Sequence, residues 1–199
     1  MVSVKRLLMI LPLVSLLFVG CDHEDLLLSE RDKIEKYLTS SRGMVAEADL
    51  GSVIEENPAF YSVFGRYAYR HIVNYYDAGR ENLAEVKMGD ELELRFNAYT
   101  FTGSEPSLSA LYWSNVEEQI LKLQQQSDSK LEWSIEPLKV TLGETDMIEG
   151  LELALEGCRE KDSVQVYMTS NLAYGRKNLG SVPKNSMVAW YMKIEKVTK

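Results

Sequence analysis

Five stretches of the chain alternate apolar and polar residues at the two-residue period of a strand with one buried face. Tyr67, Tyr69, His71, Val73 and Tyr75 alternate with Arg66, Ala68, Arg70, Ile72 and Asn74, and Asp77-Ala78-Gly79 closes that run. After a turn-like 87–90 (KMGD), Leu92, Leu94 and Phe96 alternate with Glu91, Glu93 and Arg95, and the strand can continue through Tyr99 and Phe101 until the break at 103–106. Leu138, Val140 and Leu142 form a third run, Val164, Val166 and Met168 a fourth, and Val188, Trp190, Met192 and Ile194 a fifth.

Three segments carry helical spacing instead. In 26–40, Leu27, Ile34, Tyr37 and Leu38 share one face, Ser29 can cap the start, and Arg31, Asp32, Lys33 and Glu35 stay outside. Two readings of this amphipathic helix stand: a spacer or dimer-forming arm, or a helix packed on the main domain. Asn115 followed by Glu118 is a capping-box pattern, and Val116, Ile120 and Leu123 give a stripe, which predicts a surface helix in a long loop. Residues 147–155 (MIEGLELAL) read as a short, mostly buried helix, while 41–64 reads as a connecting segment. About five antiparallel strands with a short helix packed on one face make the expected fold class α+β.

The formal charge of −8 and a pI near 4.9 oppose binding to phosphate backbones, so nucleic acid is not an expected partner. His23 and His71 are the only histidines, with no carboxylate or cysteine at ligand spacing, so neither a metal nor a nucleophilic triad is expected. No glycine-rich phosphate loop is present, and no cofactor is expected.

The N-terminus is built for export. Lys5 and Arg6 precede the apolar run 7–19, which Pro12 breaks and Gly20-Cys21 ends, followed by the acidic 22–25 (DHED). The run is shorter than the roughly 20 apolar residues of a spanning helix, so it reads as a signal peptide over 1–20. Gly20-Cys21 resembles a bacterial lipobox, with Phe18 where leucine is usual. The resemblance implies a diacylglyceryl group on Cys21, anchoring in the bacterial cell envelope, and an outer-membrane location facing the periplasm or the cell surface. The alternative is an ordinary signal peptide with Cys21 a free thiol. With Cys21 acylated, Cys158 has no disulfide partner and reads as a small buried hydrophobe.

Four motifs in order, 138–143 (LKVTLG), 147–151 (MIEGL), 171–175 (NLAYG) and 182–186 (VPKNS), together with 87–90 and the strand after it, resemble the core of the FKBP family of peptidyl-prolyl cis/trans isomerases. The likeness covers roughly residues 66–197. It implies an antiparallel half-barrel sheet wrapped around a short helix, an apolar cleft between them, and proline-containing segments of exported proteins as partners. The domain plan is then a signal at 1–20, a tether and helical arm at 21–64, and an FKBP-like domain at 65–199 with an insertion at about 104–137.

Carried over by motif, the resemblance assigns the Tyr174 hydroxyl and the Ile148 N–H as groups that grip the peptide. It places Phe96, Leu138, Met147, Leu151, Val182 and Trp190 on the pocket positions. Leu151 stands where the family has a tryptophan floor, and Phe96 lacks the hydroxyl usual there. The family's Phe-Asp pair has no clear counterpart: Tyr112 or Trp113 is displaced onto its aromatic position, with Ser114 on the aspartate's. These departures point to a weakened isomerase. The competing readings are a catalytically inactive FKBP-fold binding module and an envelope-assembly lipoprotein that docks through its insertion.

Overall fold

A computed structural model describes residues 11–45, 59–127 and 131–199, with side chains from residue 23 onward apart from Ser127. The charged start of the signal, the Cys21 side chain, residues 46–58 of the connecting segment and residues 128–130 of the polar tail lie outside the described residues.

Seven antiparallel strands form one sheet. They are β1 (Tyr61–Phe64), β2 (Ala68–Ile72), β3 (Glu91–Phe101), β4 (Leu111–Ser114), β5 (Leu138–Thr141), β6 (Ser163–Met168) and β7 (Met187–Thr198). The spatial order is β1-β2-β6-β7-β3-β4, with β5 also paired to β3. The two longest strands lie side by side in the middle, Leu94 opposite Ile194 and Ala98 opposite Trp190. Both β4 and β5 line the outer edge of β3, and between them the ladder is bridged by a side chain. Asn115 Oδ1 accepts the Phe96 N–H at 2.8 Å, and its Nδ2 donates to Leu94 O and Glu136 O. The Asn115 side chain is therefore spent on the sheet, just past the end of β4, rather than on the expected helix cap. The helix that follows, α2 (Glu117–Ser127), starts just beyond it, and Ser114 Oγ accepts the Val116 N–H at 2.9 Å.

The sheet is covered on both faces. On one side lies α3 (Glu149–Leu155), whose Leu151, Ala154 and Leu155 enter a core with Leu94, Phe96, Val140, Val166 and Trp190. Gly150 permits this approach: a Cβ there would stand 2.5 Å from Met168 Sδ and 3.1 Å from Leu172 O. Arg70, only 5% exposed, ties the helix end to β2 by donating to Ala154 O at 2.8 Å and Glu156 O at 2.6 Å. Cys158 packs alongside, and burial pushes its thiol up to about 11, as befits a structural cysteine.

The opposite face receives α1 (Leu11–Ser41), which runs further in both directions than its apolar stripe predicts. Ile34 and Leu38, both fully buried, join Phe60, Tyr69, Tyr99, Phe101 and Tyr167 in a second core. Glu35 clasps Arg66 and accepts the Tyr69 hydroxyl at 2.7 Å. Of the two readings of this helix, the structure shows the packed one. Among the described residues, no helix is long and apolar enough to cross a membrane.

Candidate functional site

The cleft is set by the step from β5 into α3. The chain leaves β5, turns at Gly143 (φ +84°), and presents Thr145, Asp146, Met147 and Ile148 before the helix begins. Across from them stand Trp190 on β7 and Trp113 on β4. Tyr174 closes one end, on the loop after the turn Ser170–Leu172. Together these residues, with Leu94, Leu138, Val140 and Leu151, line a mostly apolar cavity of about 190 Å³ that opens to solvent. At roughly 30 Å³ per water in the liquid, this is room for a five-membered ring.

Of the residues singled out from sequence, Tyr174, Ile148, Leu138, Met147, Leu151, Trp190 and Trp113 all meet at this cavity. Phe96 and Val182 do not line it. Phe96 is 1% exposed and sits behind the wall, its ring 4.8 Å from Trp190 and 4.6 Å from Trp113. Val182 is buried in the same core and pairs with Leu179. Leu94, Val140, Thr145 and Asp146 line the cleft without having been singled out. The position of Thr145 and Asp146 immediately before Met147-Ile148 was the available signal.

Trp113 reaches the cleft because β4 carries a bulge. Ala98 pairs with Trp113 and Tyr99 with Leu111, so Tyr112 has no opposite residue, and both Tyr112 and Trp113 turn their rings toward Trp190. Ser114, in contrast, is buried and bonded to Phe96 O and Asn97 Oδ1.

The bulge also creates a polar relay. The Trp190 indole N–H donates to the Tyr112 hydroxyl at 2.8 Å, and the Tyr112 and Tyr174 hydroxyls lie 3.2 Å apart. With Tyr112 already accepting from Trp190, its own hydrogen is free to point at the Tyr174 oxygen, which leaves the Tyr174 hydrogen for a ligand carbonyl. Burial raises the pKa of both phenols, so both stay neutral donors. The Ile148 N–H has no partner among the described residues' hydrogen bonds, and Ile148 O accepts from Leu151 N–H in the first turn of α3. Two unspent donors thus face an apolar hollow. Among the described residues, no group of three or more His, Cys, Asp or Glu side chains is placed to hold a metal ion.

Residues 117–195 match the model of the family "FKBP-type peptidyl-prolyl cis-trans isomerase". A crystal structure of a multi-domain immunophilin from Arabidopsis thaliana superposes with a TM-score of 0.51 at 14% identity, covering 70% of this chain and 45% of that one. The three FKBP domains of wheat FKBP73 give 0.49 at 16% identity, over 68% of this chain and 48% of that one. The N-terminal domain of FKBP42 from Arabidopsis thaliana gives 0.49 at 13% identity, over 72% of this chain and 94% of that one. This chain therefore spans about half the length of two of these structures. No curated protein sequence matches it. At these identities the immunophilin superposition speaks for the fold.

Proposed function

From an FKBP-like domain with an open cleft, we propose that this protein is a peptidyl-prolyl cis/trans isomerase of modest activity, lipid-anchored through Cys21 in the bacterial envelope, that assists the folding of exported proteins. The observation that carries the reading is the hollow itself: an apolar pocket flanked by the free Ile148 N–H and the Tyr174 hydroxyl.

The chemistry needs nothing more elaborate. Rotation about an X–Pro bond meets a barrier of about 18–20 kcal/mol because amide resonance is lost. The twisted amide is less polar than the planar one, so a pocket of Leu94, Val140, Met147, Leu151 and Trp190 side chains favours it over the ground state. The Ile148 N–H and Tyr174 O–H hold flanking carbonyls while the prolyl ring turns. Leu151 in place of a flat aromatic floor leaves less surface against that ring, which supports a modest rate.

The test is a protease-coupled assay on a proline tetrapeptide, in which uncatalysed isomerisation takes tens to hundreds of seconds. We expect acceleration by the full chain and a loss of about tenfold in kcat/KM for Tyr174→Phe, the worth of one hydrogen bond of about 1.4 kcal/mol. Tyr112→Phe should lose a similar amount, since it deprives Tyr174 of the donor that orients it. A rate no faster than background removes the enzyme and leaves a binding module. For the anchor, Cys21→Ala is expected to shift the protein from the membrane to the soluble fraction of the cell; retention in the membrane would refute lipid attachment there.

A further inference from the structure

Glu30 belongs to the arm, yet it is only 3% exposed. Its Oε2 accepts the Ser170 N–H at 2.8 Å, while its Oε1 is buried with no hydrogen-bond partner among the described residues. Burial raises the pKa of this carboxyl, against the opposing pull of Ser170, Lys33 and His23. A carboxylate buried on one hydrogen bond is unfavourable by itself, so its place in the fold must be held by what surrounds it, the Ile34 and Leu38 packing of the same helix.

Ser170 is where the turn beneath the cleft is organised. Its carbonyl accepts the Ala173 N–H at 3.1 Å and the Gly175 N–H at 2.7 Å, the two amides on either side of Tyr174. The Gly175 carbonyl accepts the Asn185 N–H at 2.7 Å, and Gly175 has φ +57°. One peptide group thus faces the arm through its N–H, and the next carries the loop through its carbonyl.

We propose that Glu30 is a positioning residue for the cleft: by holding the Ser170 N–H it fixes the loop that presents Tyr174, so the seating of the arm sets how tightly a peptide binds. The consequence for peptide binding rests on the function proposed above; the structural half does not.

The experiment uses the full chain, ¹⁵N-labelled, with Glu30→Ala and Glu30→Gln, and the tetrapeptide Ala-Leu-Pro-Phe as probe. Glu30→Ala should displace the Ala173 and Gly175 amide signals and raise KM by about five- to tenfold with little change in kcat, the scale of one hydrogen bond. Glu30→Gln, whose amide oxygen still accepts, should restore both. Unmoved Gly175 signals in Glu30→Ala, or a Gln variant as impaired as the Ala variant, overturns the proposal. If the wild-type chain turns over no peptide, the isomerase reading falls, and the amide signals with the tetrapeptide's Kd decide this one.

Should Glu30→Ala not fold, acid titration of the His23→Asn chain decides it. Of the groups near Glu30, Lys33 is a neighbouring cation, and the turn and loop from Ser170 to Tyr174 add no titratable side chain but the Tyr174 phenol. Protonating Glu30 weakens it as an acceptor, so the Ser170, Ala173 and Gly175 signals should move together; Ser170 moving alone overturns the proposal. Because folding raises this pKa, the group's contribution to stability is present below the ordinary carboxylate pKa and is lost as pH rises through the folded value.

Discussion

Trp190→Ala is expected to destabilise the protein by about 3–5 kcal/mol and to abolish peptide binding together with it. Trp190 is 3% exposed in the middle of the central strand pair, opposite Ala98 on one side and Val166 on the other. Its ring stacks on Phe96 at 4.8 Å and meets Trp113 edge-on at 5.8 Å and Tyr112 at 6.4 Å, so its removal opens a void beneath three aromatic walls. It also deprives Tyr112 of the donor that orients the relay toward Tyr174. Trp190→Phe separates the two losses, since it keeps most of the packing and removes only the N–H; about 1–3 kcal/mol is expected. Urea unfolding of both variants reads the difference as a shift in midpoint at constant slope. An alanine variant as stable as wild type would contradict the role assigned to this ring.

The second large effect lies far from the cleft mouth. Arg70→Met should cost about 2–4 kcal/mol, because the backbone carbonyl of Glu156 loses the Arg70 donor and that of Ala154 is left with only the weak Cys158 thiol, where water reaches poorly. The guanidinium also receives the Tyr61 ring at 5.1 Å and donates to its hydroxyl at 2.6 Å. A cation at the C-terminal end of α3 opposes the partial negative charge that gathers there. Lysine would not substitute, since one ammonium does not reproduce a planar fork aimed at several acceptors. If thermal unfolding of Arg70→Met matches wild type within error, the capping account of this arginine is wrong.

The strands that alternate cleanly were legible in the sequence, and so was the packing side of the arm, because Ile34 and Leu38 lie on the predicted stripe. What the sequence concealed has physical causes. In β2 all five residues are buried, since α3 covers one face and α1 the other; an alternation of Tyr with Arg suggests a solvent side that does not exist. The strand β4 carries no period-two signal because its bulge sends neighbouring rings the same way. The four-residue β1 is too short to carry a pattern at all. Asn115 has a capping-box neighbour at the right distance, yet its side chain fills a gap in the ladder that only the paired strands reveal. Nothing in the helical spacing of 26–40 singles out Glu30, because its partner lies 140 positions away.

For the cleft, the family resemblance carries seven of the residues that line it, and two others, Phe96 and Val182, fall behind the wall. Phe96 and Val182 were placed by correspondence of position, whereas the wider Trp113, brought in by the bulge, occupies the space in front of Phe96.

The continuity of α1 bears on how such a protein would meet its targets. Cys21 and Glu30 lie on one unbroken helix, which rises about 1.5 Å per residue, so an acyl chain at Cys21 would sit only about 14 Å along the axis from the docked carboxylate. The body would ride on a stiff strut instead of swinging on a long leash. If the proposed anchor and clients hold, newly translocated chains would be served at the bilayer surface.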